Sequence, residues 1–145
     1  MREILFKAKR IDNGEWVEGS LLNLDSDSGY CYIVPTYETA STLPIKSLIL
    51  DRMKLVDPET ICQFIGLTDK NGKKIWENDI LMAHLDESYP EDVTYETVEW
   101  GVAGWVTHEA DSIDRQYLDE FDLEHFEIVG NIFDGGTNGK NPKKD

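Results

Sequence analysis

Basic side chains are scarce in this 145-residue chain: 14 lysines and arginines stand against 29 aspartates and glutamates, a formal net charge of −15. The deficit is local. Residues 1–56 carry 7 basic and 8 acidic groups, whereas residues 86–127 carry 14 acidic groups and a single base, Arg115. A surface of that sign repels phosphate backbones, which argues against direct nucleic-acid binding. Cysteine is as sparse. Cys31 and Cys62 lie far apart, without a CxxC pair or neighbouring histidines, so neither a disulfide framework nor a zinc site is signalled and free thiols in a reducing cytoplasm are expected. Long apolar runs are also missing. Nothing approaches the roughly 18 residues needed to cross a bilayer, and the opening "MREILFKAKR" alternates in polarity, so neither export nor a membrane span is expected.

Signatures of catalysis are absent in the same way. The chain has no phosphate-cradling glycine loop, no nucleophile elbow and no zinc-deaminase pattern. His84, His108 and His125 stand alone, and no two histidines have the i, i+4 spacing of a helical metal site. His108 with Glu109 and Asp111 is the densest local cluster and reads as a solvated strand end. No catalytic residue, metal ligand or cofactor is assigned.

What the chain does have is a polarity period of two. In "REILFKAKR", Ile4, Phe6 and Ala8 share one face and Lys7 and Lys9 the other, the pattern of a half-buried strand. Asn13 and Gly14 then supply the pair that best tolerates the positive φ of a tight hairpin, so the segment around Trp16 and Val17 should return antiparallel. "YCYIVP" is strand-like up to Pro35, after a polar loop at 25–29, and "SLIL" and "MKLV" read as short extended pieces. Asp57 and Pro58 mark a turn and a domain boundary, because the residue before proline is pushed out of the helical region. The expected layout is an N-terminal β region over 1–56, a C-terminal small barrel-like region over 57–134, and a disordered polar tail over 135–145. A chain of this length buries roughly two-thirds of its unfolded surface, enough for a core without staples.

The stretch "ICQFIGLTDKNGKKIWENDIL", residues 61–81, reads as strand, Asn71–Gly72 hairpin, and returning strand. Gly66 is placed to allow a bulge or a close backbone approach. Asp69 and Asp79 can each accept from a backbone N–H two residues on, holding a turn shut. Further on, "VTYETVEW", "GVAG" and "WVTHEA" form a third hairpin with Trp100 and Trp105 opposite each other. Ile113, Tyr117, Leu118 and Phe121 recur at helical spacing and predict one short amphipathic helix over 112–121. "FEIVGNIF" closes the domain with a strand.

Three of these segments, "FKAKRIDNGEWVEG", "FIGLTDKNGKKIWENDI" and "FEIVGNIFD", occur in the order found in the YopX family of bacteriophage and prophage proteins, and the chain resembles that family over nearly all of residues 2–134. The family usually has glutamate-glycine-aspartate where this chain has Glu77, Asn78 and Asp79. The resemblance implies a mainly β architecture, here a hairpin-rich N-terminal sheet plus a C-terminal partly open small β-barrel with one short helix, and a location in the cytoplasm of a bacterial host. It carries no catalytic residues. The matching positions Gly66, Leu67, Asp69, Gly72, Glu77, Asp79, Gly130 and Asn131 read as fold determinants or as an interaction surface.

On function, the residues favour a non-catalytic protein-binding or assembly module with an acidic surface. The alternatives are a small metal-dependent, nuclease-like phage enzyme, whose converging carboxylates could not be read among 29 acids, and an acidic mimic of DNA that occupies a basic partner. The distribution of charge directs self-association to the near-neutral N-terminal sheet, around Phe6, Trp16 and Tyr32.

Overall fold

In a computed structural model, residues 3–24, 29–36, 45–84, 88–119 and 123–134 are described. The chain divides into two compact units, Met1–Phe64 and Ile65–Asp145. Both are built almost wholly of antiparallel strands.

The first unit contains β1 (Phe6–Lys9), β2 (Trp16–Asn23), β3 (Cys31–Pro35), a six-residue helix α1 (Ile45–Leu50), β4 (Lys54–Val56), a 3-10 turn at Pro58–Thr60, and the start of β5 (Cys62–Thr68). The β1–β2 hairpin forms where Asn13 and Gly14 allow it. Gly14 has φ +72°, its N–H donates to the Arg10 carbonyl at 2.9 Å, and the Asn13 carboxamide oxygen accepts from the Glu15 N–H at 2.9 Å. The strands lie in the order β4-β3-β2-β1, and Cys62 and Gln63 of β5 pair beyond β1. This sheet curls. Arg10 bridges to Val56, and the Ile11 N–H to Leu55 carbonyl and Asp57 N–H to Lys9 carbonyl bonds bring the β4 end back to the end of β1. Ala8, Cys31, Ile33 and Val56 fill the inside of the curl, with Phe6, Val17, Leu21 and Ile61 against them. Curling demands close approach at Gly19, where any side chain would overlap the Val34 carbonyl oxygen. Both cysteines are buried free thiols, and the Cys62 Sγ lies 3.3 Å from the Thr60 carbonyl oxygen.

The second unit contains the remainder of β5, then β6 (Lys74–Trp76), β7 (Asp79–His84), β8 (Val93–Trp100), β9 (Trp105–Glu109), β10 (Gln116–Tyr117) and β11 (Glu127–Asn131). β5 and β6 are joined by the Asn71–Gly72 hairpin. The other five strands form a sheet in the order β10-β9-β8-β7-β11. This sheet is open, so no closed barrel is formed here. Alternation sends Leu81, Val98 and Ile128 to one face, where they meet Ile65, Ile75, Leu123 and Phe126 in the core of the unit.

Two local expectations fail. The helix foreseen over 112–121 is not there: residues 113–115 are irregular, and Gln116 and Tyr117 pair with Thr107 and Val106 as the edge strand β10. Ile113 is 92% and Tyr117 58% exposed, so of the described members of the pattern that suggested a helix only Leu118 packs against the core. Phe121, the last member of that pattern, lies outside the described residues. Conversely, "SLIL" falls within α1 and is not extended, since a short apolar run fits helix and strand alike. The tail over 135–145 also lies outside the described residues. Among those that are described, no helix is long and apolar enough to cross a membrane.

Candidate functional site

The motif residues of the 61–81 stretch converge within the second unit on two buried carboxylates. Asp69 ends β5. Its Oδ1 accepts from the backbone N–H of Asn71 at 2.8 Å and of Lys73 at 3.0 Å, which closes the β5–β6 turn, and its Oδ2 accepts from the Ile128 N–H at 3.0 Å. One side chain thereby ties a hairpin to the last strand. Gly72, with φ +80°, supplies the left-handed residue of the same turn.

Asp79 opens β7 and is 2% exposed. Its Oδ2 accepts from the Trp76 N–H at 2.8 Å, three residues upstream, and its Oδ1 accepts from the Asn131 side-chain amide at 2.9 Å. The same amide lies 3.4 Å from the Glu77 carbonyl, and the Asn131 side-chain oxygen accepts from the Phe133 N–H at 3.1 Å. Asn78, between Glu77 and Asp79, has φ +71°, the one positive value outside glycine among the described residues, and its backbone joins Val98 and Ile132. Glu77, Asp79 and Asn131 therefore come together. Gly130 sits at a shift of register between β11 and β7, and Leu67 packs against the core of the unit. Gly66, in β5, has φ +90°.

This constellation has the chemistry of a clasp. A buried carboxylate whose oxygens point at backbone N–H groups and an amide is held by strong charge-assisted bonds. Its lone pairs are directed at the chain itself. Among the described residues, no three His, Cys, Asp or Glu side chains group as a metal-holding set.

Outward-facing chemistry lies on β8, β9 and β10. The His108 Nε2 is 3.3 Å from Glu99 Oε2, Arg115 Nε pairs with Glu99 Oε1, and the His108 Nδ1 is 3.0 Å from the Glu109 carbonyl. His108 is thus mostly enclosed and tied to Glu99, a residue outside the local cluster that sequence spacing had singled out. The Thr107 hydroxyl donates to Glu96 Oε1 at 2.9 Å. Beside them is an open depression of about 300 Å³, lined by Glu96, His108, Glu109 and Asp114 among others. Its walls are acidic and polar, unlike the apolar, enclosed wall of a small-molecule site.

At the other end of this hairpin, Trp100 and Trp105 pair as expected, with ring centroids 4.8 Å apart and planes at 72°, an edge-to-face contact. Trp105 packs on the core, while Trp100 is 60% exposed. The turn between them is closed by the Gly101 N–H to Gly104 carbonyl bond at 2.7 Å. Val102 at its tip is fully exposed, and the exposed Tyr117 ring lies against Gly104. Only local pairing was readable in advance; the exposure of Trp100 was not.

The three residues expected to form a contact surface in the first unit separate. Phe6 turns into the curl of the sheet. Trp16 is half-buried, with the Lys7 and Lys9 ammonium groups 4.4 and 5.4 Å from its ring centre. Tyr32, paired with Leu22 and Leu55 on the neighbouring strands, is half-buried.

Comparison with known proteins agrees with this architecture. A crystal structure of protein EF1440 from Enterococcus faecalis is similar with a TM-score of 0.55 and 19% sequence identity, covering 91% of this chain and 94% of that one, a likeness of fold. No curated protein matches. The family model for YopX protein matches residues 5–137, a span that includes both the Asp69 and the Asp79–Asn131 clasps, and the chain belongs to the YopX family.

Proposed function

We propose that this chain is a phage-type protein-docking module without catalysis, and that the tip of the β8–β9 hairpin is its docking element. The observation that carries the reading is Trp100: a large aromatic, 60% exposed, on a turn fixed by a short backbone bond and flanked by exposed Val102 and Tyr117. Tryptophan and tyrosine held on a rigid support lose little conformational freedom on binding and dominate interface energetics. The surrounding sequence, with 14 acids and one arginine over 86–127, selects a partner with a basic rim around an apolar cleft. The inward orientation of Asp69 and Asp79 supports the same reading, since the motif acids are spent on the fold.

Affinity capture from a bacterial lysate tests this, using the intact chain, Trp100→Ser and Glu109→Lys variants of matched stability, and a salt series. The expected result is a basic polypeptide retained by the intact chain, lost with Trp100→Ser, and released as salt shortens the Debye length below about 8 Å. Capture that ignores both the tryptophan and the salt overturns the proposal.

A further inference from the structure

The ring of His108 meets an oxygen at each of its nitrogens. Nδ1 lies 3.0 Å from the Glu109 carbonyl oxygen, and Nε2 lies 3.3 Å from Glu99 Oε2. A carbonyl and a carboxylate only accept, whereas a neutral imidazole carries one N–H and can donate to only one of them. Its other nitrogen then turns a lone pair toward an oxygen. The doubly protonated ring donates to both. These two oxygens are also the anchors of a single turn. The Glu109 carbonyl accepts the Ser112 N–H at 3.1 Å where the chain leaves β9, and Glu99 binds Arg115, the last residue before β10. His108 therefore touches both ends of residues 110–115.

We infer that His108 is a proton-operated latch: with its second proton it ties both ends of the 110–115 turn and holds β10 on the sheet edge, and on losing that proton it keeps one end only. β10 is suited to such control, being two residues long and exposed at both. The charged groups around the ring are Glu96 and Glu99 of β8, Glu109 of its own strand, and Asp114 and Arg115 of the turn. By alternation Tyr95 of β8 and Tyr117 of β10 share its face of the sheet. Carboxylates, tyrosines and arginines do not ordinarily change charge between about pH 5.5 and pH 8, whereas an imidazole does, so the ring is the group that switches. The proton goes with the closed turn, so the hold is complete in mild acid and is lost as the pH rises. Because the Tyr117 ring lies against Gly104 in the β8–β9 turn, the same proton sets how firmly that ring stands beside the hairpin tip. The latch itself does not depend on a docking role for Trp100.

Native-state hydrogen exchange on the intact chain, at constant ionic strength and corrected for the intrinsic pH dependence of amide exchange, tests this. Protection of the Leu118 amide, which donates to the Trp105 carbonyl, should fall about two- to fivefold between about pH 5.5 and about pH 8, the size expected of a partly exposed ion pair. The Ile80 and Val98 amides in the central strands should keep their protection. Added salt should shrink the fall at Leu118. In His108→Gln, whose amide can still donate to Glu99 but does not titrate, protection of Leu118 should be flat with pH. Leu118 protection that is unchanged or rises with pH in the intact chain, that falls equally in His108→Gln, or that falls in step with Ile80 and Val98 would each overturn the inference.

Discussion

The Asn131 side-chain amide donates to Asp79 Oδ1 at 2.9 Å, joining residues 52 positions apart at the point where β7 and β11 meet. Each partner also serves backbone: Asp79 receives the Trp76 N–H, and Asn131 receives the Phe133 N–H. Removing either side chain leaves buried polar groups with no solvent to replace the lost bond. Asn131→Ala should destabilise by about 1–3 kcal/mol, and Asp79→Ala by as much or more, because a bond to a charged acceptor goes with it. In the double variant the two costs should fall well short of adding. Urea denaturation of the four proteins measures this, and additive costs would mean that the two side chains act separately.

The hairpins at Asn13–Gly14, Asn71–Gly72 and Trp100–Trp105 were legible because each is decided by residues within a few positions of one another. The Asp79–Asn131 clasp was not, since spacing in the chain says nothing about which distant amide will face a carboxylate. Asp69 shows both limits: its bond to the Asn71 N–H follows from turn chemistry, whereas its bond to Ile128 joins residues 59 apart. The helix foreseen over 112–121 failed for the converse reason. Ile113, Tyr117 and Leu118 fit a helical period, but the Leu118 N–H finds the Trp105 carbonyl at 3.2 Å, and pairing with β9 outweighs local spacing. Alternation already put Phe6 on the face of Ala8, opposite Lys7 and Lys9, and the structure keeps it there; grouping it with Trp16, which pairs with Lys9 on the other face, as one contact surface ran against that pattern.

Backbone conformation makes opposite forecasts at two turn residues. Gly72 has φ +80° and open space where a side chain would stand, so Gly72→Val should cost about 1–2 kcal/mol through backbone strain alone, while Gly72→Asn should recover much of it. At Asn78, with φ +71°, the replacement Asn78→Gly should be neutral or stabilise by up to about 1 kcal/mol. Thermal melts suffice. A strongly destabilised Asn78→Gly protein would show that the asparagine side chain contributes more than its tolerance of positive φ.

Glu96 and Glu109 occupy directly opposed positions on β8 and β9. Like charges in that relationship disfavour the sheet, even though the Thr107 hydroxyl bonds to Glu96. Replacing the exposed Glu109 with glutamine or lysine should therefore stabilise by a few tenths up to about 1 kcal/mol, lysine more than glutamine. The gain should shrink with added salt. A loss of stability in both variants would mean that Glu109 makes a favourable contact that outweighs the repulsion.

Arg115, the only base over 86–127, bonds to Glu99 through Nε and to the carbonyls of Ser112 and Asp114 through Nη1, at 3.0 and 3.3 Å. It thereby holds the turn that delivers the two-residue strand β10 to the edge of the sheet. Exposed ion pairs contribute little to global stability, so Arg115→Met should cost less than about 1 kcal/mol in overall unfolding. The local effect should be larger. With the tie gone, β10 should detach more often, a sub-global opening that lies below the free energy of global unfolding. Native-state hydrogen exchange reads this directly: the Leu118 amide, bonded to Trp105, should exchange faster in Arg115→Met, while the Ile80 and Val98 amides in the central strands keep their protection. Uniform acceleration across the sheet would show that Arg115 supports the whole unit; unchanged exchange at Leu118 would show that β10 is held by its backbone pairing to β9 alone.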